Sequence, residues 1–547
     1  GLGRAGAESG VVFAHRNVGS RFWDPRRNRL VYSTDGWLLR QATGKRGLAQ
    51  FSGVIVDEVH ERSIPTDFLM MELKRHARKD PSFRVIVMSA TVDDAPYRAY
   101  FPGLRVVDVS GSPTFPISQT FKAPRAGIDY LEAAVDEVIR IHRSPPAGPE
   151  SPSGILVFVP TKRDCVKGCT ALVKACKAGG IGSECALFSD ADPGEDPEVT
   201  LFCHSLFSDT PKSFQESAMQ SARPGTRSVV FATNVAESSI TIKDLGYVID
   251  TGFEFARTFD PVAGVYRGGL ERVSKAQWRQ RIGRVGRTAP GEAVMVYSKS
   301  EHAKTPDYPA PSISQTDVAD ELFRLVASRP ETGWPGAVAD SRDLMTPVTP
   351  AQAAWAEFKL RTLGILAGPP GSPSITRFGE ACASLSDRGA RASVDGLAVL
   401  AMADAAGLGD DAAFLVAFRE RADGNYSSLW TPRPGSMGSA PGQPPPAVAE
   451  SELEEASDDL AVLALREALA EAEAAARASA GPDGSRARPE VRGLKGSVVR
   501  DVRESYGKYL AALADPRRTP APRDAYPANL IDPAKGSLRS CLMVAGF

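Results

Sequence analysis

Five short apolar runs constrain this 547-residue chain more than anything else in it: "FSGVIV" (51–56), "FRVIVMSA" (83–90), "ILVFVPT" (155–161), "SVVFATN" (228–234) and "YVIDTGF" (247–253). Each is continuous rather than alternating, which predicts strands covered on both faces in a parallel sheet. "TDFLMMELKRHARKD" lies between the first two with helical spacing, so strand–helix–strand is expected there. Residues 1–113 and 114–300 therefore read as two segments with the same α/β grammar.

Beyond 300 the texture is helical. "TPAQAAWAEFKLRTLGIL" has Thr349 as N-cap, Pro350 at the first helical position, Trp355 and Phe358 on one face, and Gly364 at the stop. With "ITRFGEACASL" after a proline-rich turn, it suggests a small helix–strand–helix unit over 301–388. A helical region over 389–534 follows, containing a Pro/Gly-rich linker at 434–450, the acidic helix former "SELEEASDDLAVLALREALAEAEAAARA" and "SVVRDVRESYGKYLAAL".

Parallel α/β sheets collect ligands at the carboxyl ends of their strands, and the run 54–56 delivers Asp57-Glu58 to that edge. Phosphoryl transfer to water needs a carboxylate for the metal and a base for the attacking water, and adjacent residues at a strand end can divide those roles. The plainer reading is a strand followed by a polar loop. Ser89 and Thr91 end the neighbouring strand with hydroxyls suited to a bound phosphate.

"RQRIGRVGRT" (279–288) is the sharpest stretch. Gln280, Arg284 and Arg287 at i, i+4, i+7 are expected on one helical face. Gly283 and Gly286 beside them would admit another backbone, at about 1 kcal/mol each against alanine. Such arginines can neutralise charge on a transferring phosphoryl group, whereas a solvated basic helix or a nucleic-acid patch is the plainer reading. Thr233 and Asn234 end another strand with small polar groups suited to nucleic-acid phosphates. "DPVAG" predicts a hairpin turn between Phe259 and Tyr266, with Arg267 and Arg272 nearby; such a hairpin would wedge against bases or be an ordinary surface feature.

A formal net charge of −1 leaves any nucleic-acid binding to local patches. No apolar stretch is long enough to span a bilayer. Seven cysteines fit a reducing compartment better than a disulfide framework. Cys165, Cys169 and Cys176 fall at i, i+4, i+11, the spacing of small core residues on one helix face, and no C-x-x-C knuckle supports zinc.

Taken in order, these residues resemble the DEAH-box (DExH) class of superfamily 2 ATP-dependent RNA helicases. "TDGWLLR" looks like motif Ib, "DEVHERS" motif II, "SAT" motif III, "ILVFVPT" motif IV, "FATNVAESSITI" motif V and "QRIGRVGR" motif VI. The resemblance implies two RecA-like parallel-sheet lobes, the first incomplete (1–113) and the second at 114–300. Winged-helix (301–388) and helical ratchet-like (389–534) domains would follow, then the start of an oligonucleotide-binding (OB) fold at 535–547.

It further implies ATP with Mg²⁺. Asp57 would hold the ion through water, Glu58 would activate the hydrolytic water, and His60 and Gln280 would couple the two lobes at the γ-phosphate. Arg284 and Arg287 would be arginine fingers. Asp244 would meet the ribose and Phe214 the base, with Ser89 and Thr91 near the nucleotide. Thr34, Arg62, Thr233, Asn234 and Arg267 would contact RNA. The implied partners are single-stranded RNA or RNP and an activating protein, for a monomer inside the cell, in nucleus or cytoplasm, and away from membranes.

Val59 stands where the family has alanine, and Thr161 where it usually has glycine. No G-x-x-x-x-G-K-[ST] phosphate loop occurs; "TGKRG" (43–47) lacks the upstream glycine and the hydroxyl after lysine. The expectation is a sequence incomplete at both ends, with residues 1–547 alone hydrolysing little ATP. The alternatives are an RNA-binding scaffold without ATPase activity and a DNA helicase of the same superfamily.

Overall fold

The structure is a computed structural model that describes residues 11–14, 29–43, 47–89, 94–109, 115–144, 152–178, 185–187, 200–208, 210, 212–220, 226–237, 240–422, 466, 470 and 496–521. Thr91, the linker 434–450, nearly all of the helix-forming stretch from 451, and residues 535–547 lie outside them. The chain divides into two compact units, one of Gly1–Ser89, Pro261–Gly264 and Thr316–Phe547, the other of Ala90–Asp260 and Val265–Gln315.

The first unit opens with two parallel strand pairs, β1 (Val11–Ala14) with β2 (Leu30–Ser33), and β3 (Gly53–Val56) with β4 (Arg84–Val87). Helix α1 (Asp35–Thr43) follows β2, and α2 (Ile64–Lys79) joins β3 to β4. α2 starts at Ser63, whose Oγ accepts the Thr66 N–H, with Pro65 in the first turn. The expectation of two covered faces fails for β3 and β4. Val54 and Val56 are buried, but Ile55 and Ile86 are more than half exposed (59% and 51%). These two strands pair only with each other among the described residues, and one side of their pleat is left open.

The second unit holds a seven-stranded sheet in which every pairing is parallel. Its strands are β5 (Ile117–Phe121), β6 (Gly154–Phe158), β7 (Cys185–Leu187), β8 (Leu201–Leu206), β9 (Arg227–Ala232), β10 (Leu245–Asp250) and β13 (Gly291–Met295), in the order β5-β13-β10-β6-β9-β8-β7. β6 and β9 are buried at every position, as their unbroken apolar runs require. Helices α3 (Ala95–Tyr100), α4 (Tyr130–Arg143), α5 (Lys162–Ala178) and α6 (Lys212–Met219) connect or precede these strands. Thr161 caps α5, its Oγ1 accepting the Asp164 N–H at 3.1 Å and donating to the Asp164 carboxylate at 2.6 Å. The departure from glycine therefore supplies a helix cap.

Cys165, Cys169 and Cys176 line the buried face of α5 as expected. The disulfide-free reading is corrected at one pair: Cys169 and Cys203, on α5 and β8, face the same core layer and are bonded in a disulfide. Strands β11 (Phe253–Asp260) and β12 (Val265–Arg272) form the expected antiparallel hairpin, with Gly264 at φ +69° in its turn and the Phe259 and Tyr266 rings 5.0 Å apart. Helices α7 (Lys275–Ile282) and α8 (Lys299–Lys304) flank β13, each started by a serine capping box.

The first unit continues with α9 (Ala319–Ser328), α10 (Gly333–Ser341) and α11 (Pro350–Thr362), then the short hairpin β14 (Leu366–Ala367) and β15 (Ser374–Ile375), and α12 (Arg377–Asp387). The Thr349 capping box, Pro350 and Gly364 at φ +74° bound α11 as the sequence indicates, and Trp355 lies 5.7 Å from Phe358. The apolar α13 (Val394–Ala405), α14 (Gly409–Ala422) and α15 (Gly496–Ala514) complete the helical part.

Candidate phosphate and nucleic-acid site

β3 stops at Val56, and the next six residues turn sharply. Glu58 (φ 50°) and Arg62 (φ 49°) are both left-handed and bracket a single 3-10 turn, Val59–Glu61. With Asp244, they are the only non-glycine residues of positive φ among the described residues. Such backbone costs on the order of 1–3 kcal/mol per residue and persists only where the surroundings over-determine it. Here Val59 is buried and its N–H donates to Met88 O at 3.1 Å, tying the turn to the end of β4. The Asp57 carboxylate accepts the Glu58 N–H at 2.9 Å. Glu58 is half exposed, with Oε2 3.3 Å from Nδ1 of the nearly buried His60. The turn thus presents two exposed acids, the second beside an imidazole.

Arg62 is committed within the protein. Its Nε and Nη2 donate to the two oxygens of buried Asp67 at 2.7 and 2.9 Å, and Nη2 also donates to Thr346 Oγ1 at 2.8 Å. Thr34 is exposed at the start of α1, its carbonyl accepting the Trp37 and Leu38 N–H groups. Ser89 is exposed just past β4.

The single helical face expected for Gln280, Arg284 and Arg287 is not present. α7 ends at Ile282, so only Gln280 of the three is helical. Gly283 caps the helix, and Gly286 turns left-handed at φ +75°. The close approach expected of Gly286 is present: a Cβ there would lie 2.7 Å from Ile117 Cγ1 and 3.1 Å from Phe115 O. Gly286→Ala is accordingly expected to destabilise the second unit by about 2–4 kcal/mol, from left-handed strain plus overpacking, read as a lowered denaturant midpoint. A midpoint within error of the parent would refute this reason for the glycine.

Arg284 is half-buried and its Nη1 donates to Ile240 O at 2.9 Å, whereas Arg287 is exposed with Nε donating to Gly283 O at 3.3 Å. Thr233 and Asn234 follow β9 as expected: the Thr233 N–H donates to Leu206 O, and Asn234 is exposed. Asp244, left-handed and exposed before β10, accepts the Gly154 N–H on its carbonyl. Phe214 on α6 is 40% exposed, and Arg267 on β12 is exposed while paired with Asp260 at 2.8 Å.

Sequence reasoning missed the residue that organises this edge. Arg281 is fully buried, donating to Glu237 Oε1 at 2.7 Å and to Asp250 Oδ1 at 2.8 Å, with its guanidinium 4.9 Å from the Phe158 ring centre. Tyr297 donates to the other Asp250 oxygen at 3.0 Å. Burial alone would lower the Arg281 pKa, but the Glu237 and Asp250 charges outweigh it and raise it. Burial raises Glu237 in turn, only partly offset by Arg281. Arg281 and Arg284 together fasten the segment after Thr233-Asn234, at Glu237 and Ile240. A signal was present: an apolar strand that ends on Asp250 buries an acid, and a buried acid requires a cation.

A parallel seven-stranded sheet bearing such loops at its strand ends has the architecture of a RecA-like lobe. Residues 141–289 match the helicase conserved C-terminal domain. The chain is 34% identical over 304 residues to "Pre-mRNA-splicing factor ATP-dependent RNA helicase prp22" of Schizosaccharomyces pombe, covering 55% of this chain and 24% of that protein. It is 30% identical over 338 residues to "Putative ATP-dependent RNA helicase L540" of Acanthamoeba polyphaga mimivirus, covering 59% and 44%. Among solved structures it resembles the Escherichia coli DEAH/RHA helicase HrpB, with a TM-score of 0.59 at 24% identity over 78% of this chain and 48% of that one. These matches make the chain similar to DEAH-box (DExH) helicases of superfamily 2. It spans a quarter to a half of the length of these relatives.

Proposed function

We propose that the protein is an ATP-dependent RNA helicase that couples hydrolysis to movement along single-stranded RNA and to unwinding or remodelling of RNA or RNP. The observation that carries this reading is the strained turn holding Asp57 and Glu58 at a strand end beside His60. Backbone strain of this kind concentrates at functional sites.

Mg²⁺ fits the donors present. No cluster of three or more His, Cys, Asp or Glu that could hold a metal occurs among the described residues. Mg²⁺ is commonly held by one or two carboxylates, waters and substrate phosphates rather than by an all-protein cage. Asp57 would hold it through water, and the ion would supply charge to the nucleotide phosphates. Glu58 orients the attacking water, with His60 fixing the Glu58 carboxylate. Arg284 and Arg287 offset phosphoryl charge, and Gln280 assists them. Ser89 and Thr91 sense phosphate, Asp244 meets the ribose and Phe214 the base.

Thr34, Thr233, Asn234 and Arg267 grip the RNA backbone. Arg62, with Nε and Nη2 committed to Asp67 and Thr346, serves that grip by holding the turn. No helix among the described residues is long and apolar enough to cross a membrane. A nuclear or cytoplasmic monomer working with an activating protein is part of the same proposal.

Residues 1–547 are expected to bind an unstructured oligoribonucleotide with a log K against log salt slope of about −2 to −3, given roughly −0.7 per phosphate neutralised. Arg267→Ala should make that slope shallower by about 0.7. A salt-independent affinity would refute the backbone grip. Stronger binding to the matching deoxyribonucleotide would favour a DNA helicase.

A further inference from the structure

The turn that carries the acids is tied to the residue beside Thr34. Asp35, the first residue of α1, accepts hydrogen bonds on one carboxylate oxygen from Ser63 Oγ at 2.7 Å and from Thr66 Oγ1 at 2.8 Å. Its other oxygen accepts the Gly36 N–H at 2.8 Å. Ser63 is the N-cap of α2 and directly follows left-handed Arg62, so these bonds reach the exit of the strained turn. The Ser63 and Thr66 hydroxyl oxygens lie 2.8 Å apart, so the two groups that donate to Asp35 are neighbours on the first turn of α2. The exit is also held by the Arg62–Asp67–Thr346 bonds, and the entry by the Val59 N–H donating to Met88 O.

Hydrogen bonds to a charged acceptor are about twice as strong as neutral ones, and three converge on Asp35, two of them from α2 and its cap. A turn stiffened at both ends passes on a displacement of one anchor rather than absorbing it. Thr34 and Asp35 are consecutive, so a strand that engages Thr34 moves the Asp35 anchor as well.

We propose that Asp35 is a positioning residue that couples nucleic-acid engagement at Thr34 to the conformation of the Asp57–Arg62 turn, and so sets the RNA dependence of hydrolysis. This rests on the RNA-helicase reading above and deepens it. Neither Asp35 nor Ser63 is assigned to the strand or to the nucleotide, which separates coupling from binding.

The test is hydrogen exchange across residues 57–63 in the 1–547 chain, with and without an unstructured oligouridylate. Binding should slow exchange there by about tenfold in the parent, the equivalent of 1.4 kcal/mol. Asp35→Ala should bind the oligonucleotide with unchanged affinity and show no slowing. The double variant Ser63→Ala with Thr66→Val cuts the same link from the far side, and decides the matter if Asp35→Ala does not fold. Ser63→Thr, which keeps a hydroxyl, should retain the slowing.

Slowing that survives in both cut variants would overturn the coupling. So would a loss of affinity in them, which would place Asp35 in the grip itself, or a parent that binds without slowing. A parent that does not bind the oligonucleotide would instead remove the RNA-helicase reading on which the inference stands.

Discussion

Glu58→Gln is expected to lower RNA-stimulated ATP turnover by about 10²–10⁴-fold while leaving nucleotide affinity within a few fold, because it removes a base and no phosphate contact. The measurement uses this chain joined behind the phosphate-loop segment of a DEAH-box relative, since the sequence itself contains no G-x-x-x-x-G-K-[ST]. Glutamine is nearly isosteric and preserves the left-handed turn, so the loss reports chemistry rather than shape. The Val59 N–H bond to Met88 O, the buried Val59 side chain and the Arg62 anchors are all untouched by the change. Turnover within tenfold of the parent would remove Glu58 from the role of base.

The second large effect concerns stability. Arg281→Met keeps most of the side-chain volume but leaves Asp250 and Glu237 buried without their cation. Breaking a buried pair from one side costs about 3–5 kcal/mol, and the second unit should lose that much in denaturant unfolding. Replacing the whole group, Arg281→Met with Asp250→Leu and Glu237→Leu, should recover part of the loss, since an apolar substitute for a complete ion cluster is often tolerated. A cost below about 1 kcal/mol for Arg281→Met would show that the pair contributes little, against the mutational range expected of a broken buried network.

Much of the fold could be read directly from residues. Unbroken apolar runs at 155–158 and 228–232 become the central fully buried strands, because a position covered on both faces has no polar alternative. Thr349, Pro350 and Gly364 mark the ends of α11 through cap chemistry that acts over three or four residues. The same logic misled at 51–56 and 83–90, where apolar content reflects strand propensity and burial on one side only.

Within the site, local spacing located the acids but not their geometry. Helical periodicity put Arg284 and Arg287 on a face with Gln280, yet the helix ends at Ile282 with Gly283 as its cap, before either arginine, and Gly286 turns left-handed between them. A glycine pair is compatible with a close approach along a helix or with a turn, and spacing alone does not choose. The strand ending on Asp250 called for a buried cation, but the choice of Arg281, like the roles of Asp35 and Thr346, was out of reach for a different reason. Their partners are 28 to 284 residues away, and such pairings are set by the tertiary fold.

The most direct test of the central claim is a double-mutant cycle between Glu58→Gln and Arg287→Ala in the phosphate-loop-bearing chain, read as RNA-stimulated ATP turnover. If both residues serve one hydrolytic step, the double variant should turn over no more slowly than Glu58→Gln alone, since residues acting as a unit lose their effects non-additively. Losses that multiply, or an Arg287→Ala enzyme indistinguishable from the parent, would contradict the account.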